Sequence, residues 1–165
     1  MSSTQSDYIQ TNDVPAFLAA HGKDTMKLEF QGTEPTRAYG SDAGYDLRAN
    51  IDTVTWLAAG ERRTIPLGTR LAIPNGYAGM VCPRSGLASK HGITVVNSPG
   101  IIDPGYRGEV MAVLLNTGKE PFKIEPEDRV AQLVIVKVEH PQMVPRDDLG
   151  FSDRNTSGFG SSGVH

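Results

Sequence analysis

The segment Ile101-Ile102-Asp103-Pro104-Gly105-Tyr106-Arg107-Gly108 sets a carboxylate and a phenol on either side of a Pro-Gly pair. Proline second and glycine third suit a type II turn, and in a two-residue hairpin Asp103 and Tyr106 would stand opposite each other on one face. A carboxylate would then lie beside an aromatic ring. The plainer alternative, Asp103 bonding the turn and Tyr106 merely covering it, fits the same residues, and because type II turns splay strands a bulge would alter the pairing. A second stretch, Pro83-Arg84-Ser85-Gly86-Leu87, offers a cation, a hydroxyl and a close backbone approach, which together suit an oxyanion such as phosphate. It lacks the Walker spacing and lysine, Ser85 has no local base to make it a nucleophile, and a capped turn is the bland alternative. A third candidate is the tail Arg154-Asn155-Thr156-Ser157-Gly158-Phe159-Gly160-Ser161-Ser162-Gly163. Its backbone N–H groups could wrap phosphate oxygens, with Arg154 adding charge and Phe159 a stacking face, although composition alone makes it a disordered end. Ala43-Gly44-Tyr45-Asp46-Leu47 and Arg129-Val130-Ala131-Gln132-Leu133 read locally as strands with one inward polar residue each.

The elements that must position these groups are short. From Met26 onward, runs of four to eight residues with β-branched or alternating apolar character are each closed by Gly, Pro, Asn or Asp. This pattern predicts strands at Lys27–Phe30, Thr64–Pro66, Thr69–Ile73, Ala78–Cys82, Ile93–Asn97, Glu109–Asn116, Phe122–Ile124 and Val130–Val138. Turns are marked by Pro74-Asn75-Gly76, Pro104-Gly105, Asn116-Thr117-Gly118 and Glu125-Pro126-Glu127-Asp128. No segment there keeps a helical period for three turns, so the fold class is all-β, a sandwich or jelly roll, with one short helix near Leu87–Lys90. Three regions follow: an N-terminal extension, residues 1–25, expected to be a partly disordered tail with at most a fleeting helix of about two turns between Asp13 and Gly22; a β domain, 26–147; and a mobile Gly/Ser-rich arm, 148–165.

Composition narrows the function. The chain has 165 residues, the size of one domain, and a net charge of −3 with its lysines and arginines scattered. A duplex-binding basic stripe is missing, so nucleic acid is excluded as the main ligand. The single cysteine, Cys82, excludes an intramolecular disulfide and multi-cysteine zinc sites, and the four histidines are too widely spaced for a paired motif. Cys82 itself reads as a small buried filler without reactivity. With no 18-residue apolar run and no signal-peptide pattern at the start, the expectation is a cytoplasmic protein with no membrane partner.

Taken in order, Ala-Gly-Tyr-Asp-Leu, Pro-Arg-Ser-Gly-Leu-Ala, Gly-Ile-Ile-Asp-Pro-Gly-Tyr-Arg-Gly-Glu, Asp-Arg-Val-Ala-Gln-Leu and the closing Arg…Gly-Phe-Gly-Ser-Ser-Gly resemble the five motifs of the trimeric dUTP diphosphatase (dUTPase) family, from about Met26 to Gly163. One departure is Glu127, where many relatives have Gly before the Asp-Arg pair. The resemblance implies a jelly-roll-like homotrimer whose three active sites each draw on all three subunits, and hydrolysis of dUTP to dUMP and pyrophosphate, which keeps uracil out of DNA and supplies dUMP for thymidylate synthesis. It also implies roles for single residues. Asp103 would orient and deprotonate the attacking water, Tyr106 would pack on the deoxyribose, and Asn97 would contact the base or the water. Arg84, Ser85, Gly86 and Gln132 would hold the phosphates, with Ser85 near the oxygen bridging α and β. Arg154, Gly160, Ser161 and Ser162 would close on the γ-phosphate and Phe159 would stack on uracil. Arg129 would brace Asp46, which would reach a Mg²⁺ ion on the substrate phosphates through water only. Two alternatives are a dCTP deaminase, which shares the fold but resembles this chain less in the Asp103–Gly108 hairpin and the last motif, and a dUTPase-like regulator that binds a partner protein.

Overall fold

The computed structural model of the chain describes residues 26–156. The N-terminal extension expected to be partly disordered, and Phe159, Gly160, Ser161 and Ser162, lie outside the described residues. Among the described residues, eleven strands and one helix follow in the order β1 Glu29–Gly32, β2 Gly44–Arg48, β3 Thr55–Leu57, β4 Arg62–Pro66, β5 Thr69–Ala72, β6 Tyr77–Cys82, α1 Ser85–His91, β7 Ile93–Val95, β8 Gly100–Ile102, β9 Met111–Asn116, β10 Phe122–Ile124 and β11 Arg129–Lys137.

The strands pair antiparallel throughout. Four of them form a sheet ordered β2-β11-β6-β8, three form a second ordered β4-β9-β7, and β1-β5 and β3-β10 are two-stranded. Alternation makes this a sandwich. In β9, Ala112, Leu114 and Asn116 point inward, and Leu47, Val81, Ile102 and Leu133 of the larger sheet join Ile65, Ile93, Val95 and Leu114 of the smaller one in a single buried cluster. Asn116 is buried with them and is fully bonded: its amide donates to the carbonyls of Leu57 and Glu120 at 2.9 and 2.8 Å and its Oδ1 accepts from Gly118 N–H at 2.9 Å.

Most expected strands appear with ends shifted by one to two residues, Phe122–Ile124 without any shift. β3 and β8 were not expected. Each is three residues long, too short to display alternation, and β8 begins on Gly100, the second residue of the breaker pair Pro99-Gly100. The helix is longer than Leu87–Lys90; it begins directly after the extended Arg84 and stops at Gly92, whose φ of 69° supplies the left-handed cap, its N–H reaching the carbonyls of Ala88 and Leu87.

Candidate active site

The Asp103–Tyr106 turn differs from its expected form in two ways. Tyr106 N–H does close it, donating to the Asp103 carbonyl at 3.1 Å, but Gly105 stays out of the left-handed region that a type II turn needs at that position. Nor do the flanks form a hairpin, because β8 pairs with β6 while β9 pairs with β4 and β7, so the segment crosses from one sheet to the other. Proline at the second position tolerates type I and type II turns alike, and the sheets claim the two flanks separately.

Asp103 and Tyr106 nonetheless share a recess. With Asn97, Gly100, Ile102 and Glu109 they line a cavity of about 230 Å³. The Arg107 guanidinium folds over the turn and donates to the carbonyl of Tyr106 at 2.8 Å and to that of Pro104. The Tyr106 ring lies across Gly108, where any side chain would strike it, and its hydroxyl donates to the Glu109 carbonyl at 2.9 Å. The Asn97 amide lies over Gly100, and a side chain there would crowd it.

A second recess, about 400 Å³, is lined by Asp46, Arg84, Ser85, Gly86, Arg129 and Gln132, with Ala38, Asp42, Ala43 and Gly44 as its far wall. Asp46 is its electrostatic centre. Arg84 Nε meets Asp46 Oδ1 at 3.0 Å and Arg129 meets Oδ2 at 3.1 Å, and Arg84 also donates to the Arg129 carbonyl at 2.8 Å. Two guanidiniums meet one carboxylate at its centre while Asp42 stands in the wall, so the lining carries two cations and two anions, and the guanidiniums and open backbone around Ser85 and Gly86 are its groups for an oxyanion. Backbone pairing puts the three in place. Gln132 stands opposite Asp46 in the β11-β2 register, and an irregularity between Arg129 and Ala131 offsets Arg129 so that it reaches diagonally to Asp46. Gln132 Nε2 donates to the Pro83 carbonyl at 2.8 Å, and its side chain fits only because Gly44 has none, since a Cβ at Gly44 would collide with Gln132 Oε1.

Ser85 and Gly86 open the helix with their sides free. Helix α1 has no side-chain N-cap, so the capped-turn alternative does not describe it. A Cβ at Gly86 would meet no atom within 4 Å, so packing does not explain this glycine and the approach from the recess is clear. Cys82 sits between the two recesses, opposite Gln132, and is half-buried rather than fully buried; burial pushes its thiol up from the ordinary value and keeps it protonated at neutral pH. Arg154 is described but lies outside both linings, on the arm where Leu149 and Phe151 are almost fully exposed.

The two recesses share no lining residue. Ile102 pairs with Gly79 on one side of β6 and Gln132 pairs with Cys82 on the other. Three residues along a strand and two inter-strand spacings separate them by roughly 14 Å. Asp103 and Arg84 lie further out at opposite ends. Sequence reasoning overlooked Gly44 and Glu109, whose importance depends on which residues face them across the fold, and Asp42, whose carboxylate accepts from Tyr39 N–H at 2.9 Å to shape the recess wall. The Gly40-Ser41-Asp42 cluster was the available signal for that turn.

Comparison with known proteins fits this geometry. The family model described as dUTPase matches residues 31–163. This chain belongs to the dUTPase family. Among curated relatives, the deoxyuridine 5'-triphosphate nucleotidohydrolase of Leifsonia xyli subsp. xyli is 52% identical over 130 residues, covering 78% of this chain and 84% of the relative. The enzyme of that name from Thermobifida fusca is 51% identical over 147 residues, covering 86% and 81%. Among solved structures, the Staphylococcus bacteriophage 80alpha dUTPase with dUpNHpp superposes with a TM-score of 0.77 at 28% identity, over 85% of this chain and all of that one. The dUTPase fold therefore extends over nearly all of the described residues.

Proposed function

We propose that this chain hydrolyses dUTP at the α-phosphorus, giving dUMP and pyrophosphate, and that it does so as a homotrimer in which each site joins recesses from different subunits. Membership of the dUTPase family and the names of its relatives support the reaction. The separation of the two recesses carries the shared site. A general base must come within about 3 Å of the proton it takes, directly or through one water. Asp103 and the recess around Arg84 and Gln132 of the same chain lie too far apart to act on one phosphate, and a neighbouring copy brings them together.

In this reading Asp103 positions a water and takes its proton as the water oxygen attacks the α-phosphorus. A carboxylate is a weak base, so it works mainly by placement. The bond from the α-phosphorus to the oxygen bridging it to the β-phosphorus breaks, and the charge growing on pyrophosphate meets Arg84, Ser85, Gly86 and Gln132. Tyr106 covers the deoxyribose, leaving no room for a 2′-hydroxyl, and Asn97 contacts the base or the water. Arg154, Gly160, Ser161 and Ser162 close on the γ-phosphate and Phe159 on the uracil.

Magnesium fits the donor set. Among the described residues no cluster of three or more His, Cys, Asp or Glu could cage an ion, and Asp46, both of whose oxygens face guanidiniums, suits contact through water with an ion that travels on the phosphates. When bound, Mg²⁺ supplies charge neutralisation to the triphosphate. No helix among the described residues is long and apolar enough to cross a membrane. The lone cysteine favours a reducing compartment, and we place the activity in the cytoplasm.

The test is release of pyrophosphate from dUTP, dCTP, dTTP and UTP with Mg²⁺. The expected result is turnover of dUTP alone; comparable rates on UTP or dTTP contradict the reading, and ammonia release from dCTP would mark a deaminase instead.

A further inference from the structure

The Tyr106 hydroxyl is tied to the backbone of a residue whose own side chain is anchored on the link between β4 and β5. Glu109 Oε1 accepts from the Gly68 N–H at 2.8 Å and lies 3.4 Å from the Asn50 amide nitrogen. Gly68 has a φ of 67° and sits between β4 and β5, so its N–H has no strand partner and the carboxylate takes that place. On the next residue, Val110 N–H donates to the Thr69 carbonyl at 2.8 Å and the Val110 carbonyl accepts from Leu67 N–H at 3.1 Å. Three bonds to residues 67–69 thus fix the chain at Glu109 and Val110. The Glu109 carbonyl, held in this way, receives the Tyr106 hydroxyl.

We propose that Glu109 is a positioning residue that acts through Tyr106 to set sugar selectivity, a proposal that rests on the dUTP reading above. The ring is confined from two sides, by Gly108 beneath it and by the Glu109 carbonyl at its hydroxyl. A ring confined in this way cannot tilt to admit a 2′-hydroxyl. The two Val110 bonds hold the chain one residue further on; at Glu109 itself the tie is the carboxylate bridge to Gly68, and an exposed loop of glycine, arginine and proline supplies little packing of its own. Glu109 touches neither the reacting phosphorus nor the attacking water in this scheme, so its loss should loosen discrimination more than it slows the preferred substrate.

The experiment measures kcat/KM for dUTP and UTP with the full chain, its Glu109→Ala, Glu109→Gln and Tyr106→Phe variants, and the double variant Glu109→Ala/Tyr106→Phe, each checked for a cooperative thermal transition. Glu109→Ala should lower the dUTP-over-UTP ratio by roughly tenfold, the worth of one hydrogen bond, chiefly by lowering KM for UTP. Glu109→Gln keeps an oxygen for the Gly68 N–H and should hold the ratio within about twofold. Tyr106→Phe should resemble Glu109→Ala, and the double variant should be no worse than either single one, because both cut the same tether. If Glu109→Ala does not fold, Glu109→Asp, a methylene too short for the bridge, carries the same expectation. A folded Glu109→Ala with an unchanged ratio, or losses that multiply in the double variant, overturns the proposal and leaves the function intact. A wild-type chain that turns over dUTP and UTP equally overturns the function itself, and the proposal with it.

Discussion

In the recess around Asp46 the charged groups already hold one another: Arg84 and Arg129 clasp the carboxylate, Arg84 also bonds the Arg129 carbonyl, and Gln132 is pinned to Pro83 against Gly44. The recess around Asp103 is built differently. Asp103 is exposed, and among the described residues its carboxylate makes no hydrogen bond or ion pair, while Tyr106 and Arg107 bond only to backbone carbonyls of their own loop. One recess sits on paired strands β2, β6 and β11, the other on a crossing between sheets. The difference matches the work assigned to each. A site for a polyanion gains from cations fixed in advance, because reorganisation is then not paid at the moment of reaction, whereas a carboxylate that must take a proton is best left without a cation that would weaken it as a base.

The largest expected effect breaks the loop recess alone. Asp103→Asn should keep the fold and dUTP binding and lower kcat by on the order of 10² to 10⁴, measured by steady-state kinetics beside calorimetric dUTP binding. Near wild-type kcat would move the base elsewhere. Next comes truncation before Arg154, which removes the residues proposed to close on the γ-phosphate but neither recess. It should lower kcat, by on the order of 10², more than it raises KM, since fixing the γ-phosphate matters most as charge moves toward pyrophosphate. An unchanged kcat would reduce the arm to an uninvolved end.

The strand-borne recess should instead show itself in stability. Asp46→Asn leaves two guanidiniums facing each other across a partly buried site and should cost about 1 to 3 kcal/mol in chemical denaturation, an effect that Asp103→Asn should not share. Equal stabilities for the two variants would erase the contrast. A smaller change sharpens it from the other direction. Glu127 has a φ of 65° in the turn that feeds Arg129 into β11, a backbone region that disfavours any side chain, although Arg48 donates to its carbonyl at 2.8 Å. Glu127→Gly should therefore stabilise the chain by about 0.5 to 1 kcal/mol with kcat unchanged.

Glu127 also shows what a sequence can and cannot reveal. Its turn was visible in Glu125-Pro126-Glu127-Asp128, and its oddity was visible as a departure from the glycine that the family resemblance leads one to expect there; the strain itself needed the backbone angle. The all-β class and most strands followed from alternation and breakers, which are local. Asp46 and Arg129 were ordinary strand text until the family likeness singled them out, because their meeting depends on a register and an offset between two strands distant in the chain. For the same reason Gly44 and Glu109 left no local trace: a missing side chain matters only beside Gln132, and a glutamate only beside an unpaired N–H. The hairpin at Asp103 was misjudged because Pro-Gly marks a turn without saying which sheets its flanks will join.

The claim that the two recesses complete each other across subunits has a direct test. Asp103→Asn and Arg84→Ala chains, each inactive alone, are mixed in equal amounts, allowed to exchange subunits, and assayed for pyrophosphate release from dUTP. Three chains of 17.8 kDa, about 53 kDa by light scattering, should recover roughly a quarter of wild-type activity, the statistical share of sites that pair an intact Asp103 recess with an intact Arg84 recess from a neighbour. A mixture that exchanges subunits and stays inactive, or an active monomer, would contradict the shared site.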